Sequence, residues 1–153
     1  MITPSLDLTI TRPSGWRVAS VPGATVGIEA EDTEGQRPTL AVFVRRADAA
    51  HDLVSEADRI VARSGRMPFH PLAVTECKID DRSTILAAGL RQHERLGVQF
   101  QTVAVTRAAG RTVVVTGLCS RADAPAFAAT LRDITHSLRI RARLDGQLEH
   151  EGP

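Results

Sequence analysis

The most regular pattern of apolar and polar positions lies near the end of the chain, in residues 111–140. A run of β-branched residues at 112–116 predicts a buried strand, and a short polar turn follows it. Beyond the turn, at about 100° per residue, one stripe of a helix collects the large apolar side chains Phe127, Leu131, Ile134 and Leu138. Asp123 is the predicted N-cap of this helix, and Pro125 fits its first turn, where a missing N–H costs nothing. The pattern indicates a strand that leads into an amphipathic helix lying across a sheet.

The beginning of the chain shows the two-residue period of strands. Leu6, Leu8 and Ile10 alternate with polar residues, which is typical of a half-buried strand. Residues 25–30 predict a second, short strand. Residues 39–46 predict a third, which is apolar on both faces and is therefore expected to be covered on both sides.

A helix is predicted at residues 49–64, with Asp48 as its N-cap and Gly65 as its C-terminal stop. Residues 67–71 contain two prolines and are expected to form a linker. Residues 91–96 are either a polar extension of a strand or the end of a hairpin. Four further strands are predicted at 72–79, 84–90, 98–106 and 112–118.

This order of elements predicts one α+β domain, built on a largely antiparallel sheet of six or seven strands with two principal helices. The domain is expected to cover residues 1–140. Residues 141–153 are charged and contain glycine, so they are predicted to form a flexible C-terminal tail.

Composition narrows the class of protein. The chain has 153 residues, with 42% hydrophobic and 24% charged positions, as in an ordinary globular domain. The net charge is +1 with acids and bases interspersed, and only 3% of residues are aromatic, which argues against nucleic-acid binding. No apolar run approaches the roughly 18 residues of a membrane span, so no membrane insertion is expected. The first residues do not resemble a signal peptide, which predicts a cytoplasmic location, although an exported or lipoprotein precursor already cut would give the same sequence.

Catalytic and metal-binding motifs do not emerge from the sequence, and we expect no cofactor and no bound metal. The five histidines are scattered without ligand spacing, and no CxxC occurs. Cys77 and Cys119 lie in predicted strands and are interpreted as structural thiols rather than as a disulfide. Cys119 precedes the last helix, so the alternative is a thiol activated by a helix N-terminus, the one nucleophile to test.

Two features are candidates for an interaction surface. Arg45 and Arg46, together with Arg91, His93 and Arg95, are predicted to form a mixed polar rim, or else a charged hairpin edge that blocks strand pairing. Trp16 follows a tight turn, so it either closes one end of the core or anchors a partner.

Nearly the whole chain, from about Leu6 to Ile140, resembles the PsbP-like fold superfamily, and within it the actinobacterial LpqN-type proteins. The resemblance is carried by the alternating first strand, the turn with Pro13, Gly15 and Trp16, the apolar strand before a mid-chain helix, and the last strand and helix. It implies a PsbP-like fold and a non-enzymatic role, since such proteins are mostly accessory subunits, small-GTPase-binding factors, partner-contacting lipoproteins or chaperones for secreted effectors. The sequence lacks a lipoprotein signal and its lipidated cysteine, which leaves cell-surface placement unsupported.

Three functions follow as hypotheses. The first is a non-catalytic accessory domain that recognises a protein partner, secretion-associated or chaperone-like. The second is a carrier of small apolar ligands, with a pocket between sheet and helices, and the third is an enzyme of unrecognised type. We also expect a weak homodimer, formed through the first strand or the apolar flank beside Trp16, because open sheet edges invite pairing.

Overall fold

The computed structural model describes residues 4–31, 35–63 and 66–144. Its elements are, in chain order, β1 (Pro4–Thr9), β2 (Trp16–Val18), β3 (Val26–Ala30), β4 (Thr39–Arg46), α1 (Leu53–Arg63), β5 (Phe69–Ile79), β6 (Arg82–His93), β7 (Gly97–Ala108), β8 (Arg111–Ser120), α2 (Ala124–His136) and β9 (Arg139–Leu144). A short 3-10 turn at Arg121–Asp123 leads into α2.

Seven of these strands form one antiparallel sheet, in the order β2-β3-β4-β8-β7-β6-β5, and β1 pairs with β9 in a separate two-stranded sheet. The predicted α+β domain with an antiparallel sheet of six or seven strands and two helices is therefore confirmed. Two of the hairpins have two-residue turns. Both residues of each turn have positive φ, the turn geometry that matches the right-handed twist of the strands. These residues are Asp80 and Asp81 between β5 and β6, and Ala109 and Gly110 between β7 and β8.

The central sheet is covered on both faces. On one face α2 buries Leu131 and Ile134 against the sheet, as the stripe in the sequence predicted. Leu138, just past the end of the helix, is buried in the same cluster, and β1 and β9 extend this cover. On the other face α1 packs Ala57 and Ile60 onto β6, β7 and β8 in a second, smaller apolar cluster. The middle strands are thus buried on both sides, which explains their continuous apolar sequence.

The predicted flexible tail is wrong at its start, because residues 141–144 belong to β9. Their alternation of arginine with Ile140, Ala142 and Leu144 is a strand pattern, and Ile140, which pairs with Leu8, is only 4% exposed. Residues 145–153 lie outside the described residues.

The first strand does not present the apolar surface that the sequence indicated. Leu6, Leu8 and Ile10 pack against the main core, and β1 is paired with β9. The apolar face proposed for self-association is therefore occupied within the chain. The weak homodimer stays a prediction.

α1 begins later than predicted, whereas α2 begins at the predicted place but without the predicted capping bond. α1 starts at Leu53, and Asp52 caps it by accepting a hydrogen bond from the Ser55 amide at 2.8 Å. Asp48 instead accepts from the amide of Ala50 in the preceding turn. Before α2, the Ser120 hydroxyl caps the 3-10 turn, so the predicted cap by the Asp123 side chain is not formed. The predicted stop at Gly65 lies outside the described residues.

Candidate functional site

The register of the sheet separates the predicted rim into two parts. Arg45 and Arg46 lie beside the β7–β8 turn, whereas Arg91, His93 and Arg95 lie at the β6–β7 turn. The 12 residues of β7 span the distance between these turns, about 36 Å from first to last at roughly 3.3 Å per step. The five residues do not form one rim, and a partner contact by any of them stays a prediction.

Arg91 is a buried anchor rather than a surface charge. It is 5% exposed, its Nε donates to the Gln101 side chain at 2.8 Å, and its Nη2 donates to the Val61 carbonyl at 2.7 Å. Its Nη1 donates to the carbonyl of Met67, and its guanidinium lies 5.3 Å from the ring centre of Phe69. Burial lowers the pKa of Arg91. Because Val61 is in the last turn of α1, Arg91 holds that end of the helix and the following segment on the sheet.

His93 and Trp16 also have structural contacts. The Nδ1 atom of His93 accepts hydrogen bonds from the amides of Arg95 and Leu96, both at 3.1 Å, which closes the β6–β7 turn. Trp16 is 7% exposed and meets the ring of Phe127 edge-on at a centroid distance of 6.4 Å. Trp16 therefore closes the core beside α2, and its burial contradicts the alternative of an exposed anchor for a partner.

The Cys119 thiol lies in the core, with 0% of the residue exposed. Burial raises the pKa of Cys119 to about 11, and the negative charge of Asp123 adds to that effect. Cys77 is half-buried, and burial raises its pKa as well. Both thiols are free. An activated nucleophile at Cys119 is thus contradicted by its surroundings, since an activated thiol has a lowered pKa.

We expect Cys119 in the folded protein to react with iodoacetamide at least about a hundredfold more slowly than in urea, because its thiolate is scarce and shielded. The Cys77→Ser variant isolates this thiol, and mass spectrometry of timed samples gives the rate. Stoichiometric labelling of the folded variant within minutes would contradict the buried position.

The described residues form a concave surface between α1 and β5. α1 lies over β6 and β7, and the neighbouring strand β5 is exposed over most of its length. The central cavity has a volume of about 490 Å³ and is mostly apolar, with Val61, Met67, Phe69, Val74 and Ile85 among its lining residues. A second cavity, of about 480 Å³, continues past Ile85 to the start of α1. A third, of about 370 Å³, continues past Met67 to the β6–β7 turn. We call these three cavities together the α1 groove.

One wall of the α1 groove is an unpaired sheet edge. β5 is the last strand of the main sheet and is 11 residues long. Leu72 is 66% exposed and Val74 59% exposed, and no charged residue occurs between Phe69 and Thr75. A bulge between Pro71 and Ala73 interrupts the pairing with β6, which then continues regularly to Ile79.

The other wall, α1, is fixed at its first turns by a buried carboxylate. Glu56 is 3% exposed and accepts hydrogen bonds from the Thr112 hydroxyl at 2.8 Å, Arg107 Nε at 2.9 Å and the Asp48 amide at 3.2 Å. Burial alone raises the pKa of Glu56, but the bonds from Thr112, Arg107 and Asp48 outweigh it and lower the pKa. Glu56 and Arg91 therefore hold the two ends of α1 over the sheet.

The sequence did not reveal this groove, because residues 67–71 were expected to be a linker. In the structure β5 begins at Phe69, and Pro71 lies at the bulge of an edge strand, a position that tolerates proline. The available indication was the uncharged, largely apolar run from Met67 to Thr75.

Two observations concern other kinds of site. Within residues 4–31, 35–63 and 66–144, no three His, Cys, Asp or Glu side chains are grouped so that they could hold a metal ion. No helix in the described part of the chain is long and apolar enough to cross a bilayer.

No protein-family model and no curated protein sequence matches the chain. Solved structures do. LpqN of Mycobacterium tuberculosis, described as involved in cell envelope biogenesis, superposes with a TM-score of 0.70 at 13% identity, over 92% of this chain and 90% of LpqN. PsbP of the cyanobacterium Synechocystis sp. PCC 6803 gives a TM-score of 0.65 at 10% identity, over 92% and 94% of the two chains. A protein of unknown function from Pseudomonas aeruginosa gives 0.62 at 11% identity, over 88% and 97%. At these identities the likeness establishes the fold, and the predicted PsbP-like fold is confirmed.

Proposed function

We propose that this PsbP-like domain is a non-catalytic accessory protein that binds an extended segment of a partner protein along β5. The segment adds a strand to the open edge of the sheet, and its alternate side chains enter the α1 groove. The observation that carries the proposal is the long edge strand with exposed apolar side chains at Leu72 and Val74 beside a mostly apolar groove.

The edge at β5 is protected against pairing near its two ends but not between them. The opposite edge, β2, is only three residues long, whereas β5 continues regularly for seven residues past its bulge, from Ala73 to Ile79. Charged side chains on β5 are confined to Glu76 and Lys78, near its end. Pro71 and the bulge protect only the beginning of the strand. An exposed edge of this kind is a template for another strand.

The α1 groove supplies the specificity that edge hydrogen bonds lack. In an added strand every second side chain faces α1, and large apolar side chains there reach over Val74 toward Val61 and Met67. α1 has 11 residues, about 16 Å at 1.5 Å per residue, which matches about five residues of strand. An extended segment with alternating apolar residues fits this shape, and such segments are exposed in proteins awaiting folding or export, as a chaperone-like or secretion-associated role requires.

A carrier of small apolar ligands is the second candidate, because a central cavity of about 490 Å³ falls within the usual range of about 300–1,000 Å³ for ligand sites. Most of its lining residues are exposed, including Met67, Pro71 and Val74. Ligand sites usually enclose most of the ligand surface. The open shape therefore favours a polypeptide over a small molecule.

The Val74→Lys variant tests the proposal against a fluorescent peptide of about eight residues, the length of an added strand, with threonine and valine alternating. We expect the unmodified protein to bind it with micromolar affinity and the variant to bind about tenfold more weakly, because the charge falls within the apolar groove. Val18→Lys is the matched control, since Val18 is 74% exposed on the other edge strand, β2. Anisotropy titrations give both affinities.

Equal binding by Val74→Lys, or no binding to the unmodified protein at millimolar peptide, would contradict the proposal. If an apolar dye binds in a Val74-dependent manner while the peptide does not, the carrier is the better explanation. If light scattering shows a dimer that Val74→Lys dissociates, a second copy of the chain occupies the edge.

A further inference from the structure

The cavity at the β6–β7 end of the α1 groove is polar, unlike the apolar centre of the groove. Gln99 and Gln101 line it with 4% and 3% exposure, together with the buried Arg91. The Nε2 amide of Gln99 is buried and has no hydrogen-bond partner among the described residues. A buried donor without a partner loses its bonds to water and gains none in return, so an acceptor brought by a ligand would be favourable here.

Charge changes sign along the groove. The polar cavity is lined by Arg66, Arg91 and Glu94, two positive charges and one negative, a formal net of +1. The cavity at the other end is lined by Asp52, Glu76 and Lys78, two negative charges and one positive, a formal net of −1. Arg66 is paired with Glu94 only loosely, at 3.7 Å, and its side chain is 88% exposed. A negatively charged group is therefore favoured at the β6–β7 end and disfavoured at the other.

We infer that the bound segment carries a carboxylate at its end, which lies past the added strand and sits in the polar cavity beside Gln99, Arg91 and Arg66. The last residues leave β5 at Phe69 and cross the end of the sheet, because Gln99 is on β7, about 14 Å from an added strand at roughly 4.8 Å per strand. This inference rests on the proposed function and adds a chemical requirement and a direction to it. A carboxylate offers only acceptors, which suits the unpaired amide of Gln99, and its single charge matches the net charge of the cavity. The group is a C-terminal carboxylate or an acidic side chain at the last position.

The direction follows from the course of β5. The strand begins at Phe69, which contacts Arg91 of the polar cavity, and ends at Ile79, next to Lys78 of the acidic cavity. A segment whose last residue lies in the polar cavity runs against β5, so the added strand is antiparallel, like every other pair in the sheet.

Four versions of the threonine–valine peptide of about eight residues test this, all acetylated at the N-terminus. One has a free C-terminal carboxylate, one a C-terminal amide, one an amide with aspartate at the last position, and one an amide with aspartate at the first position. We expect the first and third to bind about tenfold more tightly than the other two, as for a hydrogen bond to a charged group. The advantage should shrink as salt is added.

Matched substitutions of the protein locate the carboxylate. Glu94→Gln removes the negative charge from the polar cavity and should raise the preference for the free carboxylate over the amide by about two- to threefold. Glu76→Gln makes the same change at the other end and should leave the preference unchanged. Gln99→Met keeps the volume, removes the unpaired donor, and should lower the preference about threefold or more.

Equal affinity of all four peptides would overturn the carboxylate site and leave the proposed function standing. Tight binding of the peptide with aspartate at the first position would overturn the direction. An equal effect of Glu94→Gln and Glu76→Gln would show a general charge effect and overturn the location. Failure of every peptide to bind would overturn the proposed function, and this inference with it.

Discussion

Replacing Leu131 by alanine is expected to lower the free energy of unfolding by about 3–5 kcal/mol, because it removes buried apolar contacts and leaves a cavity in the core. Leu131 is 0% exposed at the centre of α2. It packs against the backbone of β8 at Gly117, where an added Cβ would lie 3.2 Å from Leu131 Cδ2 and 2.5 Å from the Thr102 hydroxyl oxygen. The close approach leaves no neighbouring side chain at Gly117 to fill the space that alanine would vacate.

Urea unfolding followed by tryptophan fluorescence measures this effect. Trp16 is the single tryptophan and contacts Phe127 of α2, so its emission reports whether that helix is docked. Leu72→Ala is the matched control, because Leu72 is 66% exposed and its loss should change stability by less than about 0.5 kcal/mol. Similar losses in the two variants would contradict the packing described for α2.

Replacing Glu56 by alanine is expected to lower the free energy of unfolding by about 3–4 kcal/mol, because it leaves buried charge and hydrogen-bond partners uncompensated. Arg107 would lose its carboxylate, and the hydroxyl of Thr112, which is fully buried, would lose its acceptor. Glu56→Gln keeps the volume and part of the hydrogen bonding, so it should cost less. Glu76→Gln, an exposed position on the same side of the sheet, should have little effect.

The charge on Glu56 also gives stability a dependence on pH. Its pKa is lowered in the folded protein, so the unfolded chain binds the proton more readily. The stabilisation is complete above the unfolded pKa of about 4.3 and is lost as the pH falls through the lower, folded pKa. Urea midpoints from pH 7 down to about 3 should therefore converge for the unmodified protein and Glu56→Gln. A constant difference over that range would contradict the lowered pKa.

The sequence predicted those parts of the fold in which the burial of a single helix or strand shows in its own pattern of apolar residues. The stripe on α2 was readable because a helix that buries one face repeats its apolar residues every three or four positions, as Phe127, Leu131 and Ile134 do. β4 was readable because both of its faces are covered. The pairing of β1 with β9 could not be predicted, because the sequence of a six-residue strand does not identify a partner strand more than a hundred positions away.

The candidate site depends almost entirely on such distant relations. Arg91 and Glu56 look like surface charges in the sequence, and only the folded chain shows that each is buried by groups from other elements. The prediction of one polar rim was wrong for the same reason, because the strand register decides which turns lie at the same end of the sheet. A sequence shows that β5 is a strand, but its place at the edge follows from the order of the whole sheet.

Because the sheet separates the two apolar clusters, the helix on each face can open locally and independently of the other. The strand ladder is continuous from β2 to β5, so either helix can detach without breaking it. The cluster beneath α1 is the smaller of the two and is supplemented by two polar anchors, whereas α2 is held by the main core. Amide protons of α1 should therefore exchange with solvent before those of α2. A bulky occupant of the groove would be accommodated by displacement of α1, while the sheet keeps its shape.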